Sequence, residues 1–215
     1  MIKALIFDLD SCLSAANEVG DHLFGPAFAA IRAANPGVIS EETLRAAFHD
    51  CWRFPFDFVA TKYGFSETMR SAGFAAFSKT EVREPMHGYG DLSVLAELPA
   101  RLFLVTSGFR RLQKSKVKAL GIARLFTKIH IDAIDEPGSK GKYEAFEAIL
   151  EEWSFVPAEV LIVGDNPDSE IAAGNRLGIR TVQILRPGVP ASPAAASHIT
   201  SLHDLKQFFE LGSQE

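Results

Sequence analysis

Ile2-Lys3-Ala4-Leu5-Ile6-Phe7-Asp8-Leu9-Asp10 opens the chain, and its reading decides the fold. An apolar run rich in Ile, Leu and Phe reads as a buried strand, and the two acids mark where it surfaces. Side chains at i and i+2 of a strand point the same way. The spacing therefore predicts the Asp8 and Asp10 carboxylates on one face at the strand's carboxyl end. Like charges at close range repel, so folding gains nothing from this pair. A bound cation is the expected compensation.

Four further short apolar runs read as strands, at 102–105, 129–131, 160–163 and 181–184, and 197–200 adds a short edge strand. Segments of helical period lie between them, at 110–120, 142–153 and 168–177, the first and last closed by Gly121 and Gly178. Strands alternating with helices predict parallel βαβ units and an α/β fold with a doubly wound, Rossmann-like sheet. Ligands of such sheets bind beyond the carboxyl ends of the strands. Asp8, Thr106 and Asp165 all fall there.

Residues 14–85 break the rhythm and contain no convincing strand. A helix at 27–34 stops at Asn35-Pro36-Gly37, Ser40 caps a second, 55–63 reads as a third, and Ser66 starts a fourth. Nine of the 17 phenylalanines lie here, enough for a small separate core. The predicted organisation is a catalytic core of residues 1–13 and 86–215 with an inserted α-helical cap at 14–85. A helix at 91–98 returns the chain to the sheet. The 186–193 stretch, with three prolines, is a loop. Ser201 with Asp204 forms a capping-box pattern before a terminal helix, and the tail at 212–215 is expected to fray.

The net charge of −5 gives no reason to expect nucleic acid as a partner. No apolar stretch is long enough to span a bilayer. No signal-peptide pattern opens the chain. The two cysteines, Cys12 and Cys51, lack metal-type spacing and are expected as free thiols of a cytoplasmic protein.

Four motifs follow in order: Asp8-Leu9-Asp10-Ser11-Cys12-Leu13, Thr106-Ser107-Gly108, Lys140 before a helix, and Gly164-Asp165-Asn166-Pro167-Asp168-Ser169-Glu170. Together they resemble the haloacid dehalogenase-like superfamily of hydrolases, with the helical insert as the cap between the first two motifs. The resemblance implies a phosphatase mechanism. Asp8 would attack phosphorus and become a transient aspartyl-phosphate. Asp10 would protonate the leaving oxygen and then take a proton from water. Thr106, Ser107 and Gly108 would hold the phosphoryl group and Lys140 would neutralise it. Asp8, Asp10 (through its carbonyl) and Asp165 would bind Mg²⁺. Thr106 has the alternative of capping the following helix. Lys142 is the alternative to Lys140, which is favoured because it stands six residues before the aromatic Phe146. Glu170 rather than Asp168 is the expected second acid of the fourth motif, with Asp168 as a helix cap.

The chain departs from the family pattern at Ser11, where Gly or Asn is usual, and at Cys12, where Thr or Val is usual. A Cys12 nucleophile is a weak rival, since no histidine lies nearby to activate it. Asp10 argues for phosphate-ester hydrolysis over dehalogenation, because displaced halide needs no proton. A phosphomutase, or a weakly active metal- or ligand-binding module, is the alternative. The expected partner is a small-molecule phosphate ester, such as a nucleotide or sugar phosphate, acted on by a monomer or homodimer. His22, Arg32, His49, Trp52, Arg53 and Phe54 are the candidates for substrate choice, with Arg53 as the expected substrate contact.

Overall fold

A computed structural model describes residues 1–210; the tail expected to fray lies outside the described residues. Six strands are present: β1 Ala4–Phe7, β2 Arg101–Gly108, β3 Lys128–Ala133, β4 Val160–Gly164, β5 Arg180–Ile184 and β6 Ser197–Ile199. They form one sheet in the order β3-β2-β1-β4-β5-β6, every neighbouring pair parallel. The order reverses beside β1, which makes the ends of β1, β2 and β4 the natural place for a ligand.

Alternate residues of the strands feed two cores. Leu5 and Phe7 join Leu104, Leu161, Val163 and Val182 on one face, under Val117 of α5 (Arg110–Ala119). Ala4 and Ile6 join Phe103, Val105 and Ile162 on the other, under Phe146 and Ile149 of α6 (Lys142–Trp153) and Ala173 of α7 (Ala172–Arg176). Burial on both faces is why these strands read as continuous apolar runs. Each fully buried Leu, Ile or Phe contributes about 1.5–3 kcal/mol, so the strand ends are held on a stiff base.

The insert is helical, with α1 Gly25–Ala33, α2 Glu41–Asp50, α3 Phe56–Lys62 and α4 Glu67–Phe77. Ser40 and Ser66 cap α2 and α4 by accepting from the Thr43 and Met69 amides. Phe24, Phe48, Phe56, Phe65 and Phe77 form the core of this lobe, which also takes in Phe109 and Leu112 from the start of α5. Phe77 stacks on Phe109 at 5.2 Å. The chain enters and leaves the lobe side by side: Glu18 accepts from the amides of His87 and Gly88, and the Tyr89 amide donates to the Leu13 carbonyl.

Three elements differ from the sequence expectation. β2 continues through Thr106 to Gly108, because β3 pairs with it as far as Ala133. Residues Leu92–Glu97 form a 3₁₀ helix rather than an α-helix. The helix expected from 168 begins as a π-type turn, Pro167–Ile171, and becomes α-helical only at Ala172. At the C-terminus, Asp204 accepts from the Ser201 amide and starts a 3₁₀ turn, Leu202–Lys206, that runs into α8 (Gln207–Glu210).

A buried clamp ties the two ends of the core together. Arg186 donates through both terminal nitrogens to Asp91 at 2.8 and 2.9 Å, and through Nε to the Cys12 carbonyl at 3.0 Å. Asp91 also accepts from the Leu202 amide and the Ser201 hydroxyl. Burial alone would raise the Asp91 pKa, but Arg186 and these donors outweigh it and hold it below the ordinary carboxylate value. Its stabilisation is present above the unfolded carboxylate pKa and is lost as pH falls through the lowered folded value. Asp91→Ala leaves Arg186 buried without its partner and is expected to cost about 3–5 kcal/mol, measured by urea unfolding at neutral pH. A loss under 1 kcal/mol would refute the clamp.

Candidate active site

Asp8 follows β1 and Asp165 follows β4, two adjacent strands locked in register, the Asp8 amide donating to the Val163 carbonyl at 3.0 Å. Asn166 and Pro167 then open the π-type turn, whose Ile171 amide reaches back five residues to the Asn166 carbonyl. The wide turn swings Glu170 back beneath Asp165, where its Oε1 accepts from the Asn166 amide at 2.6 Å. A side chain at Gly164 would collide with the Glu170 carboxylate, so glycine is required there. Asp8, Asp165 and Glu170 each offer an oxygen within 4.8 Å of the others, and all three are buried.

The cation among them is Lys142. Its ammonium lies 2.7 Å from Asp8 Oδ1 and 2.8 Å from Glu170 Oε2. Burial works against the Lys142 charge, but Asp8 and Glu170 overcome it and keep the lysine protonated. One ammonium does not balance three carboxylates. Burial first, then the negative neighbours, pushes Asp8 up to about 7 and Asp165 up to about 8. These groups are hard oxygen donors, desolvated and under-compensated, and they fit a divalent, oxygen-preferring cation.

Lys140, favoured from the sequence, does not reach the site. Its side chain is exposed and it precedes the helix. Buried Asp132 pins its backbone, accepting from the amides of Lys140 and Gly141 and from the Ser139 and Ser107 hydroxyls. Lys142 is the first residue of α6, one turn before Phe146. Residues four apart share a helix face, so the packing that buries Phe146 against the sheet also carries Lys142 over the strand ends. Asp168 is exposed and caps nothing; Asn166 accepts from its amide instead.

Asp8 and Asp10 do not behave as a same-face strand pair, because β1 ends at Phe7. Asp8 turns to α6, whereas Asp10 turns to α5 from the opposite face. Lys116 Nζ lies 2.7 Å from Asp10 Oδ1. Gln113 Nε2 donates to Asp10 Oδ2 at 2.9 Å and to Thr106 Oγ1 at 2.6 Å, with the Ser107 carbonyl at 3.3 Å. Thr106 is buried within β2 and does not cap α5. Just past Asp10, Ser11 takes a left-handed conformation (φ 57°), which explains why Gly or Asn suits that position. Cys12 is buried with its thiol toward the Val163 carbonyl. Burial pushes that thiol well above its ordinary value, the opposite of an activated nucleophile. Both cysteines are free.

Asp8, Asp10, Thr106, Ser107, Gly108, Lys142 and Asp165 line one cleft, whose other wall includes Trp52, Arg53 and Phe54. His22, Arg32 and His49 do not line it; Arg32 is held by Glu41 in two hydrogen bonds. Asp132, Gln113 and Lys116 are site residues that the motif reading passed over.

A Rossmann-like sheet bearing carboxylates at the ends of its central strands, beside an inserted helical lobe, defines the class: a doubly wound α/β domain with an acidic site at its strand ends. The chain belongs to the haloacid dehalogenase-like hydrolase family, whose sequence model matches residues 2–178. It is 29% identical over 203 residues to a glyceraldehyde 3-phosphate phosphatase of Methanopyrus kandleri, covering 86% of this chain and 85% of that protein. It is 29% identical over 158 residues to a phosphoserine phosphatase of Thermus thermophilus, covering 67% of this chain and 62% of that protein. Among solved structures, a phosphatase of the same family from Thermococcus onnurineus superimposes with a TM-score of 0.64 at 21% identity, covering 97% and 98% of the two chains.

The raised carboxylates set a pH dependence of stability. Between the ordinary value of 3.8 and about 7 for Asp8, or about 8 for Asp165, the folded carboxyls retain protons that the unfolded chain has released. Stability in EDTA therefore falls as pH rises through this window, by up to about 1.4 kcal/mol per pH unit for each group. Thermal unfolding should show the advantage of Asp165→Asn over the parent growing from pH 5 to pH 8 in EDTA and shrinking when Mg²⁺ is added. A constant difference between the two proteins would refute the charge imbalance.

Proposed function

We propose that the chain hydrolyses a small phosphomonoester in a Mg²⁺-dependent reaction with Asp8 as nucleophile. The observation that carries this reading is Lys142 bridging Asp8 and Glu170 at the floor of a cleft onto which Asp10 and Thr106 also open. Asp8 attacks phosphorus, the ester P–O bond breaks, and an aspartyl-phosphate forms. Asp10 gives its proton to the departing oxygen. Water then attacks the same phosphorus and yields its proton to Asp10, which frees phosphate and restores Asp8.

The Thr106 hydroxyl, the Ser107 amide and Gly108 receive the phosphoryl oxygens, and Lys142 offsets their charge in place of the expected Lys140. The carboxylates of Asp8 and Asp165 and the main-chain carbonyl of Asp10 would hold Mg²⁺. When bound, it supplies the positive charge that lets a carboxylate approach an anionic ester.

Residues 14–85 act as a cap in this reading, with Arg53, Trp52 and Phe54 meeting the part of the substrate beyond phosphorus. Arg53 adds a cation to that wall of the cleft. A cleft of about 110 Å³ suits a small ester, and the two curated relatives are phosphatases named for small phosphate esters.

Turnover of p-nitrophenyl phosphate with Mg²⁺, abolished by EDTA and by Asp8→Asn, is the expected result. Lys142→Met should lower kcat by about 10²–10³-fold, while Lys140→Met stays near the parent. Retained activity in Asp8→Asn would overturn the mechanism, and the reverse ranking of the lysine variants would overturn the role of Lys142.

A further inference from the structure

We infer that Gln113 and Lys116, on α5, are positioning residues for the proton transfers at Asp10. The inference rests on the proposed acid–base role of Asp10. Both carboxylate oxygens of Asp10 are engaged, Oδ1 by Lys116 Nζ at 2.7 Å and Oδ2 by Gln113 Nε2 at 2.9 Å. The same amide nitrogen reaches Thr106 Oγ1 at 2.6 Å. The Ser107 carbonyl, 3.3 Å from the same nitrogen, can only accept, so the NH₂ end of Gln113 faces this cluster. Thr106 therefore accepts from Gln113, and its own hydroxyl hydrogen is left free for a phosphoryl oxygen. One amide thus fixes the acid–base group relative to the residue that holds phosphorus.

Packing does not ask for these residues. The Lys116 side chain is only 4% exposed, on a helix whose neighbouring core positions are Leu112 and Val117. Replacing a buried ion pair by apolar side chains is often neutral or stabilising. A lysine kept there is better explained by what it does to Asp10 than by stability. Gly108 belongs to the same arrangement, because a Cβ at that position would press on the Gln113 side chain at 3.2 Å.

In the first step the proton leaves Asp10 for the ester oxygen as the P–O bond breaks. In the second, a water proton returns to Asp10 as its oxygen bonds to phosphorus, so Asp10 ends as it began. Both transfers need an Asp10 oxygen held within hydrogen-bond reach of the reacting oxygen, and a misplacement of about 1 Å costs about 100-fold. The first transfer matters more when the leaving oxygen is more basic. A loosened Asp10 should therefore hurt phenyl phosphate more than p-nitrophenyl phosphate, two esters of nearly the same shape.

The test compares kcat/KM for these two esters, with Mg²⁺, in the parent, Lys116→Met, Gln113→Met, Lys116→Arg and Asp10→Asn. Each Met variant is expected to lose roughly tenfold more on phenyl phosphate than on p-nitrophenyl phosphate, and Lys116→Arg to recover part of that loss. Gln113→Met provides the test if Lys116→Met fails to fold. Equal losses on both esters, or no loss on either, overturn the inference. Selectivity in Asp10→Asn without selectivity in the Met variants overturns the positioning role alone. Its absence in Asp10→Asn overturns the acid–base assignment and the positioning role together.

Discussion

One ammonium among three buried carboxylates is the constraint around which the rest is arranged. Lys142 is bonded to Asp8 and Glu170, and Asp165 stands in the same cluster without a lysine of its own. Such a cluster opposes folding, since burial raises the cost of every charge it does not neutralise. It persists because the groups that carry it are over-determined. β1 is paired with β4 over its full length, and both strands are buried on both faces. Gly164 leaves room for Glu170, and the π-type turn directs it inward. Apolar burial in the two layers supplies the stability that the carboxylates withdraw.

That arrangement separates a fixed floor from a changeable wall. The floor comes from strand ends and from the first turn of α6, elements locked by the two sheet cores. The facing wall comes from the helical lobe, whose aromatic core includes residues of α5. Trp52, Arg53 and Phe54 sit where α2 gives way to α3, outside the regular helices. Side chains on such a connection can vary without disturbing the layers beneath.

The strands were legible because parallel strands buried on both faces are unbroken apolar runs, and Asp8 and Asp165 follow from their ends. A spacing of six residues before Phe146 points to Lys140, whereas the helix face that Phe146 marks belongs to Lys142. The i, i+4 relation on α6 was the signal that pointed to Lys142. The π-type turn could not be read, because its register depends on Glu170 folding back onto the Asn166 amide, a tertiary contact. Asp132 looked like an ordinary strand residue, and its hydrogen bonds to a loop seven to nine residues on leave no periodic trace. Gln113 and Lys116 were hidden in an amphipathic helix, where polar residues usually face solvent.

Asp8 and Asp10 show why two acids so close in sequence can take different work. The chain leaves β1 at Phe7, so the strict alternation of a strand no longer holds the two side chains on one face and they part. Asp8 drops to the α6 face, where the Lys142 ammonium favours its ionised form against burial and the neighbouring carboxylates. Asp10 goes to the α5 face, where Lys116 and Gln113 hold it beside Thr106. Each acid therefore has its own lysine, brought by a different helix from a different layer. In the proposed mechanism Asp8 must present an oxygen without a proton, and Asp10 must gain and lose one. With separate partners, neither requirement has to be traded against the other.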